Sequence, residues 1–164
     1  MSDKLKIFLS GGMTGLTEEE ASKWRTSFKL NNAVQDDTPF IFIDPTYYYF
    51  PTDKTTQEYE KEAMNYDLYL VRHSDLIIVN FNSLSSIGTA QELMLAYTLN
   101  KPIIGMIPKD KYDQLHPWYK EECMKIFKYN SDELEETIDK IMRYIWRFKI
   151  WHLKNLKKEK NFKI

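Results

Sequence analysis

Three groups of residues could do chemistry. The first is a carboxylate, Glu92, in Ser85-Ser86-Ile87-Gly88-Thr89-Ala90-Gln91-Glu92-Leu93, a run that follows the apolar stretch Leu76-Ile77-Ile78-Val79-Asn80. A β-branched apolar run reads as a buried strand, and small residues followed by Leu93, Ala96 and Tyr97 at helical spacing read as a turn and a helix start. Glu92 then falls in the first turn of a helix, just past the carboxyl end of a strand, where open α/β sheets bind ligands. It has two readings. Thr89-x-x-Glu92 has the spacing of a reciprocal helix cap, and spacing alone favours that role. A carboxylate that a helix N-terminus keeps ionised, among small neighbours, is also suited to nucleophilic attack. The second group is Ser10-Gly11-Gly12, a turn whose backbone can approach a ligand closely and offer N–H donors. The third is Asp67, which by itself reads as a solvated helix acid. His73 and His116 lack metal-ligand spacing, and His73 reads as a helix-end residue. The single Cys123 reads as a small buried hydrophobe.

The elements that must position these groups alternate along the chain. Strands are expected at 6–10, 40–43, 75–80, 102–107 and 124–127. Helices are expected from Thr17, capped with Glu20, to about residue 30, from 57 to 71, and from Glu92 to about Asn100. A last helix is expected after a Ser131 cap. Asp44-Pro45-Thr46-Tyr47-Tyr48-Tyr49-Phe50-Pro51 is a proline-bracketed loop, and 109–119 is polar and broken by Pro117. Strict alternation predicts an α/β domain, a flavodoxin- or Rossmann-like five-stranded parallel sheet in order 2-1-3-4-5 with helices on both faces. Strands one and three then flank the switch point, and the Ser10 turn and the Glu92 turn open onto one crevice.

The 164 residues suffice for one domain with a core, and 43% hydrophobic with 29% charged residues suits a globular protein. Aromatics reach 15%, which points to stacking surfaces or an aromatic interface. No stretch is apolar enough to span a bilayer, the start resembles no signal peptide, and one cysteine builds no disulfide framework, so a cytoplasmic location is expected. The net charge of −1 is uneven: residues 140–164 hold nine Lys/Arg and one acid, or +8, and the remainder holds −9. An acidic body excludes a nucleic-acid groove there. Residues 1–140 are read as the functional domain and 141–164 as a basic aromatic helical extension, since Ile141, Tyr144, Ile145, Phe148 and Trp151 keep helical spacing. The preferred role of this long C-terminal helix is packing or oligomerisation, ahead of a membrane surface or nucleic acid.

Ile7-Phe8-Leu9-Ser10-Gly11-Gly12, Asp67-Leu68, Asp75-Leu76-Ile77-Ile78-Val79-Asn80, Gly88-Thr89-Ala90-x-Glu92-Leu93-x-x-Ala96-Tyr97 and Lys101-Pro102-Ile103 together resemble the nucleoside 2-deoxyribosyltransferase superfamily, in order over the first two-thirds of the chain. The resemblance implies that Glu92 attacks C1′ of a 2′-deoxynucleoside, that Asp67 hydrogen-bonds the base and helps protonate its leaving nitrogen, and that a second base or water takes the sugar. It implies substrate contacts from Phe8, Ser10, Gly11, Gly12, Tyr47, Tyr48, Ser86, Gly88 and Asn80, no cofactor or metal, and a homo-oligomer whose neighbour completes the site, with His116, Trp118 and Tyr119 as residues that could reach across. Two positions depart from the family. Phe8 stands where a tyrosine orients the nucleophile, so Tyr47, Tyr48 or Tyr49 is expected to supply the missing hydroxyl. Ser86 stands where the transferases carry an Asp for the 5′-hydroxyl, which is similar to the related 2′-deoxynucleoside 5′-monophosphate N-glycosidases. A Ser hydroxyl, helix amides and the Gly-rich loop attract a phosphate that an Asp would repel, so a hydrolase of deoxynucleoside monophosphates is the alternative. A silent nucleotide-binding protein is the second.

Overall fold

The structure is a computed structural model. It describes residues 4–33 and 38–160, with side chains for 4–31 and 38–147. Five strands, β1 (Leu5–Gly11), β2 (Phe40–Ile43), β3 (Leu76–Asn80), β4 (Ile103–Pro108) and β5 (Lys125–Tyr129), form one parallel sheet in the order β2-β1-β3-β4-β5. The expected α/β topology is therefore the observed one. Helices α1 (Glu18–Ala33) and α5 (Leu134–Lys160) lie against one face, and α2 (Gln57–His73), α3 (Ile87–Thr98) and α4 (Pro117–Glu122) against the other.

Local chemistry sets most of the boundaries. Thr17 and Glu20 exchange backbone bonds at the start of α1 (Thr17 N to Glu20 Oε2 2.8 Å, Glu20 N to Thr17 Oγ1 3.1 Å), the expected capping box. The helix runs one turn past its expected end, to Ala33. Asn100, at φ 53°, takes the left-handed conformation that asparagine tolerates and closes the end of α3. Pro117, instead of breaking a loop, occupies the first turn of α4, where a missing N–H costs nothing. Ser131 is not the cap of the last helix. Asn130 instead caps a single 3-10 turn (Ser131–Glu133) that leads into α5, with its N–H donating to Glu133 Oε2 at 3.3 Å.

Strand alternation divides the core in two. Ile7 and Leu9 of β1, with Leu76, Ile78, Ile104 and Met106, pack against Trp24 and Phe28 of α1 and Ile138, Ile141 and Ile145 of α5. Phe8, Ile77, Val79, Ile103 and Ile107 pack against Val71, Leu93 and Ala96. Thus α5 enters the core early, and it continues without interruption through residue 140. The side chains of Phe148 and Trp151, on which the reading of the tail partly rests, lie outside the described residues. Among the described residues no helix is long and apolar enough to cross a membrane.

Candidate active site

β1 and β3 are neighbours whose carboxyl ends coincide, with Gly11 opposite Asn80. Beyond them a cavity of about 510 Å³ opens on the α2–α3 side, lined by Gly11, Met13, Thr14, Ser86, Gly88, Asp67 and Glu92 among others. Its size suits a small ligand. Gly12 is required here by close approach: a Cβ on it would sit 2.7 Å from the Ser83 Cβ, so the β1 turn and the turn before α3 can meet only because that atom is missing.

The α3 start differs from the reciprocal cap expected of Thr89 and Glu92. Ser86 is the N-cap, and its Oγ accepts from the Thr89 N–H (3.2 Å) and the Thr89 hydroxyl (3.0 Å). The helix therefore begins earlier, and Glu92 belongs to its second turn, beyond the backbone groups a cap could reach. Its side chain turns to the strand instead. Ser10 Oγ donates to Glu92 Oε2 at 2.5 Å, and both residues are buried. This is the hydroxyl that Phe8 lacks. It comes from two residues further along the same strand and not from the tyrosine loop.

The tyrosines act on the second carboxylate. Tyr48 donates a very short hydrogen bond to Asp67 Oδ1, which holds the Asp67 side chain and leaves Oδ2 for other partners. Tyr49, also on the cavity wall, donates to Glu60 at 2.5 Å. Both phenols are pushed up by burial and by their carboxylate partners, so both remain protonated donors.

The two carboxyl groups are strongly perturbed. Burial pushes Glu92 up to about 8. The negative charge of Asp67 adds to the rise, and the Ser10 bond and the Arg25 cation oppose it. Burial pushes Asp67 up to about 6, against the opposing Tyr48 bond and Arg25. A helix N-terminus holding Glu92 ionised is thus not what is found, because the second turn is too far along for the terminal dipole to dominate. The two acids therefore release their protons on either side of neutral pH, Asp67 before Glu92.

Arg25 is a residue that sequence reasoning missed. Fully buried beneath the site, it donates through Nε to the Leu9 carbonyl (3.1 Å), through Nη2 to the Gly11 carbonyl (3.0 Å), and through Nη1, very closely, to Ala21. Its Nε lies 3.8 Å from Asp44 Oδ1. It pins the end of β1 and supplies the positive charge facing Glu92 and Asp67. Burial lowers its own pKa to about 10, which leaves it cationic at neutral pH. Its only signal in the sequence was a charge within an otherwise apolar stripe of α1, beside Trp24 and Phe28.

Of the residues proposed from sequence, Glu92, Asp67, Gly11, Ser86 and Gly88 line the cavity, Ser10 and Tyr48 hold its two acids, and Gly12 closes its wall. Three lie elsewhere. Phe8 is fully buried in the core below, since its place on β1 is one layer deeper than Ser10. Asn80 turns to the opposite face and accepts from the Tyr129 hydroxyl at 3.0 Å. Tyr47 is 78% exposed, with the Lys29 ammonium 4.0 Å over its ring. His73 ends α2 and contacts the Tyr69 carbonyl, and His116 caps α4. Among the described residues no group of His, Cys, Asp and Glu is placed to hold a metal. Cys123 packs beside the second core cluster, and burial pushes its thiol up to about 12.

No protein-family model and no curated protein matches the chain. Solved structures do. A conserved protein from Enterococcus faecalis superposes with a TM-score of 0.61 at 15% identity, over 84% of this chain and 99% of that one. A 2-deoxyribosyltransferase from Bacillus psychrosaccharolyticus superposes with a TM-score of 0.59 at 17% identity, over 79% and 95%. A CMP N-glycosidase from Clostridium botulinum superposes with a TM-score of 0.57 at 15% identity, over 85% and 98%. At these identities the likeness is one of fold.

Proposed function

We propose that this chain is an enzyme of the nucleoside 2-deoxyribosyltransferase superfamily, that it cleaves the N-glycosidic bond of 2′-deoxynucleosides through a covalent deoxyribosyl-Glu92 intermediate, and that it passes the sugar to another base. The observation that carries the reading is the 2.5 Å bond from buried Ser10 to buried Glu92, in a cavity that Asp67 shares. A carboxylate held in one rotamer against C1′ is what a double displacement needs, because both transition states carry oxocarbenium character that a fixed anion stabilises.

The steps follow from the two acids. The Glu92 oxygen forms a bond to C1′ as the C1′–N bond breaks. The bonding pair passes to the base nitrogen, and the proton carried by Asp67 neutralises it. An acceptor base then attacks C1′ and loses its proton to Asp67, and the Glu92 ester bond breaks. The attacking state has Glu92 ionised and Asp67 protonated; between about 6 and about 8 the single proton of the free protein rests on Glu92, so it must pass to Asp67 as the substrate binds. No cofactor enters these steps. The α2–α3 face carries exposed Tyr59, Met64, Tyr66, Tyr69, Met94 and Tyr97. A second copy covering this face would extend the cavity wall, which supports a homo-oligomer with shared sites.

A second reading, hydrolysis of deoxynucleoside 5′-monophosphates, is favoured by the cavity lining itself. Ser83, Ser85, Ser86 and Lys61 stand there, and three hydroxyls with one ammonium suit a phosphate. The silent-binder alternative loses its motive, because Ser10 supplies the hydroxyl that Phe8 lacks.

The deciding experiment offers deoxynucleosides and deoxynucleoside monophosphates, each with and without an acceptor base, and follows free base and exchanged product. Base exchange is the expected result. Free base from monophosphates alone selects the hydrolase. No reaction with any of them overturns the enzymatic reading.

A further inference from the structure

The sheet parts beside the site. β2 pairs with β1 only from Leu5–Phe40 to Phe8–Ile43, whereas β1 runs on against β3 as far as Gly11–Asn80. The last residues of β1 therefore have no strand on their β2 side, and buried carbonyls there need another donor. Arg25 supplies it, reaching the Leu9 and Gly11 carbonyls on either side of Ser10. Asp44, the first residue after β2, fills the same gap from the other side. It is 4% exposed, and its Oδ1 lies 3.8 Å from Arg25 Nε.

The other bonds of Asp44 lead to the second acid of the site. Its Oδ1 accepts from the Thr46 N–H (2.9 Å) and the Thr46 hydroxyl (2.6 Å), which caps the 3-10 turn Pro45–Tyr47, and its Oδ2 accepts from Lys29 Nζ at 2.5 Å. Tyr48 closes that turn with its N–H on the Pro45 carbonyl (3.3 Å), and its hydroxyl holds Asp67. Asparagine caps as well as aspartate, so the cap alone does not call for a buried acid. The buried guanidinium does, because a buried charge is retained only against a partner.

We propose that Asp44, anchored on Arg25, is a positioning residue of the candidate site and holds Tyr48 on Asp67 through the turn it caps. Asp44 is not among the residues lining the cavity, so it acts through others. The assignment rests on the proposed reaction only in taking Asp67 as a working acid.

The test uses the full chain without substrate and follows the carboxyl carbon resonance of Asp67 by NMR across pH. A chain with no turnover, which overturns the proposed reaction, still gives this readout. Asp67→Asn assigns the signal. The sign of the change separates positioning from bare charge. Removing the Asp44 charge leaves Arg25 freer to favour ionised Asp67, which by itself lowers the Asp67 midpoint. Releasing Tyr48 removes a bond that favours ionised Asp67, which raises it. The expected result for Asp44→Ala is a rise of about 0.5–1 pH unit, the worth of one hydrogen bond. Asp44→Asn, which keeps the cap, should reduce that rise. Tyr48→Phe deletes the bond outright, and adding Asp44→Ala to it should raise the midpoint no further. Ile141→Ala, which weakens the opposite core, should leave it unchanged. Should Asp44→Ala not fold, Thr46→Val removes only the hydroxyl bond to Oδ1 and should give a smaller rise. An unchanged or lowered midpoint in Asp44→Ala, or in Thr46→Val where that variant stands in for it, overturns the proposal. So does an undiminished rise in Asp44→Asn, a further rise in the double variant, or an equal rise in Ile141→Ala.

Discussion

On the α1–α5 face of the sheet, Ile7 and Leu9 meet Phe28, Ile138 and Ile141 in a closed apolar layer. On the α2–α3 face, Phe8 and Val79 begin in the same way, but one step further along β1 Ser10 meets Glu92. The two faces come from one alternating strand. They differ because one helix, α3, brings a carboxylate to the layer where the other face continues with hydrocarbon. Closing the first face contributes stability, roughly 1.5–3 kcal/mol for each large apolar side chain taken out of water. Placing two acids in the second costs stability, because their charged forms are desolvated. The difference teaches that the face holding the candidate site gives up stability, through two desolvated acids, that the other face gains by burying hydrocarbon.

Substitutions can break this comparison, and the largest effect belongs to Glu92. Glu92→Ala should lower kcat/KM on the order of 10³-fold or more, with the circular dichroism spectrum unchanged. Full turnover by this variant would end the covalent mechanism. Asp67→Asn should cost on the order of 10²–10⁴-fold, most with the poorest leaving base, and should flatten the alkaline side of the pH profile. The intact protein should lose activity below about 6, where Glu92 and Asp67 are both protonated, and above about 8, where both are ionised. Ser10→Ala should reduce kcat about 10–100-fold with little change in KM, and Ser10→Thr, which keeps the hydroxyl, should recover part of it.

Two smaller effects sharpen the contrast in stability. Glu92 is protonated in both states at low pH. As pH rises past its ordinary value of 4.5 the unfolded chain releases the proton first, while the folded protein holds it to about 8. Folding stability therefore falls across that window. Glu92→Gln removes the linkage, so its Tm should exceed that of the natural chain by an amount that is small at pH 4.5 and largest above pH 8. On the other face, Ile141→Ala should cost about 2–5 kcal/mol in denaturant unfolding and leave kcat/KM unchanged. If its activity falls in parallel, the two faces are not independent.

Much of the architecture was legible because it is local. The alternation of apolar runs and helical stripes, the Thr17–Glu20 box and the turn chemistry at Gly11-Gly12 each depend on residues a few positions apart. The cap at Ser86 was misread as Thr89 because both hydroxyls have permissible spacing, and only the position of the preceding loop chooses between them. Asp67 looked like a surface acid until the proline-bracketed loop folded Tyr48 over it. Nothing local assigns Arg25 to the site, because the carbonyls it holds there, at the end of β1, are 14 and 16 positions away.

The sequence by itself determined the sheet order and the two turns that must face one another, because hydrophobic periodicity and connection rules leave few other topologies. Only the tertiary structure decided which hydroxyl reaches Glu92, which tyrosine holds Asp67, and that Phe8 and Asn80 point away. Such pairings join residues 19 and 82 positions apart. They depend on distances of tenths of an ångström that no local pattern encodes.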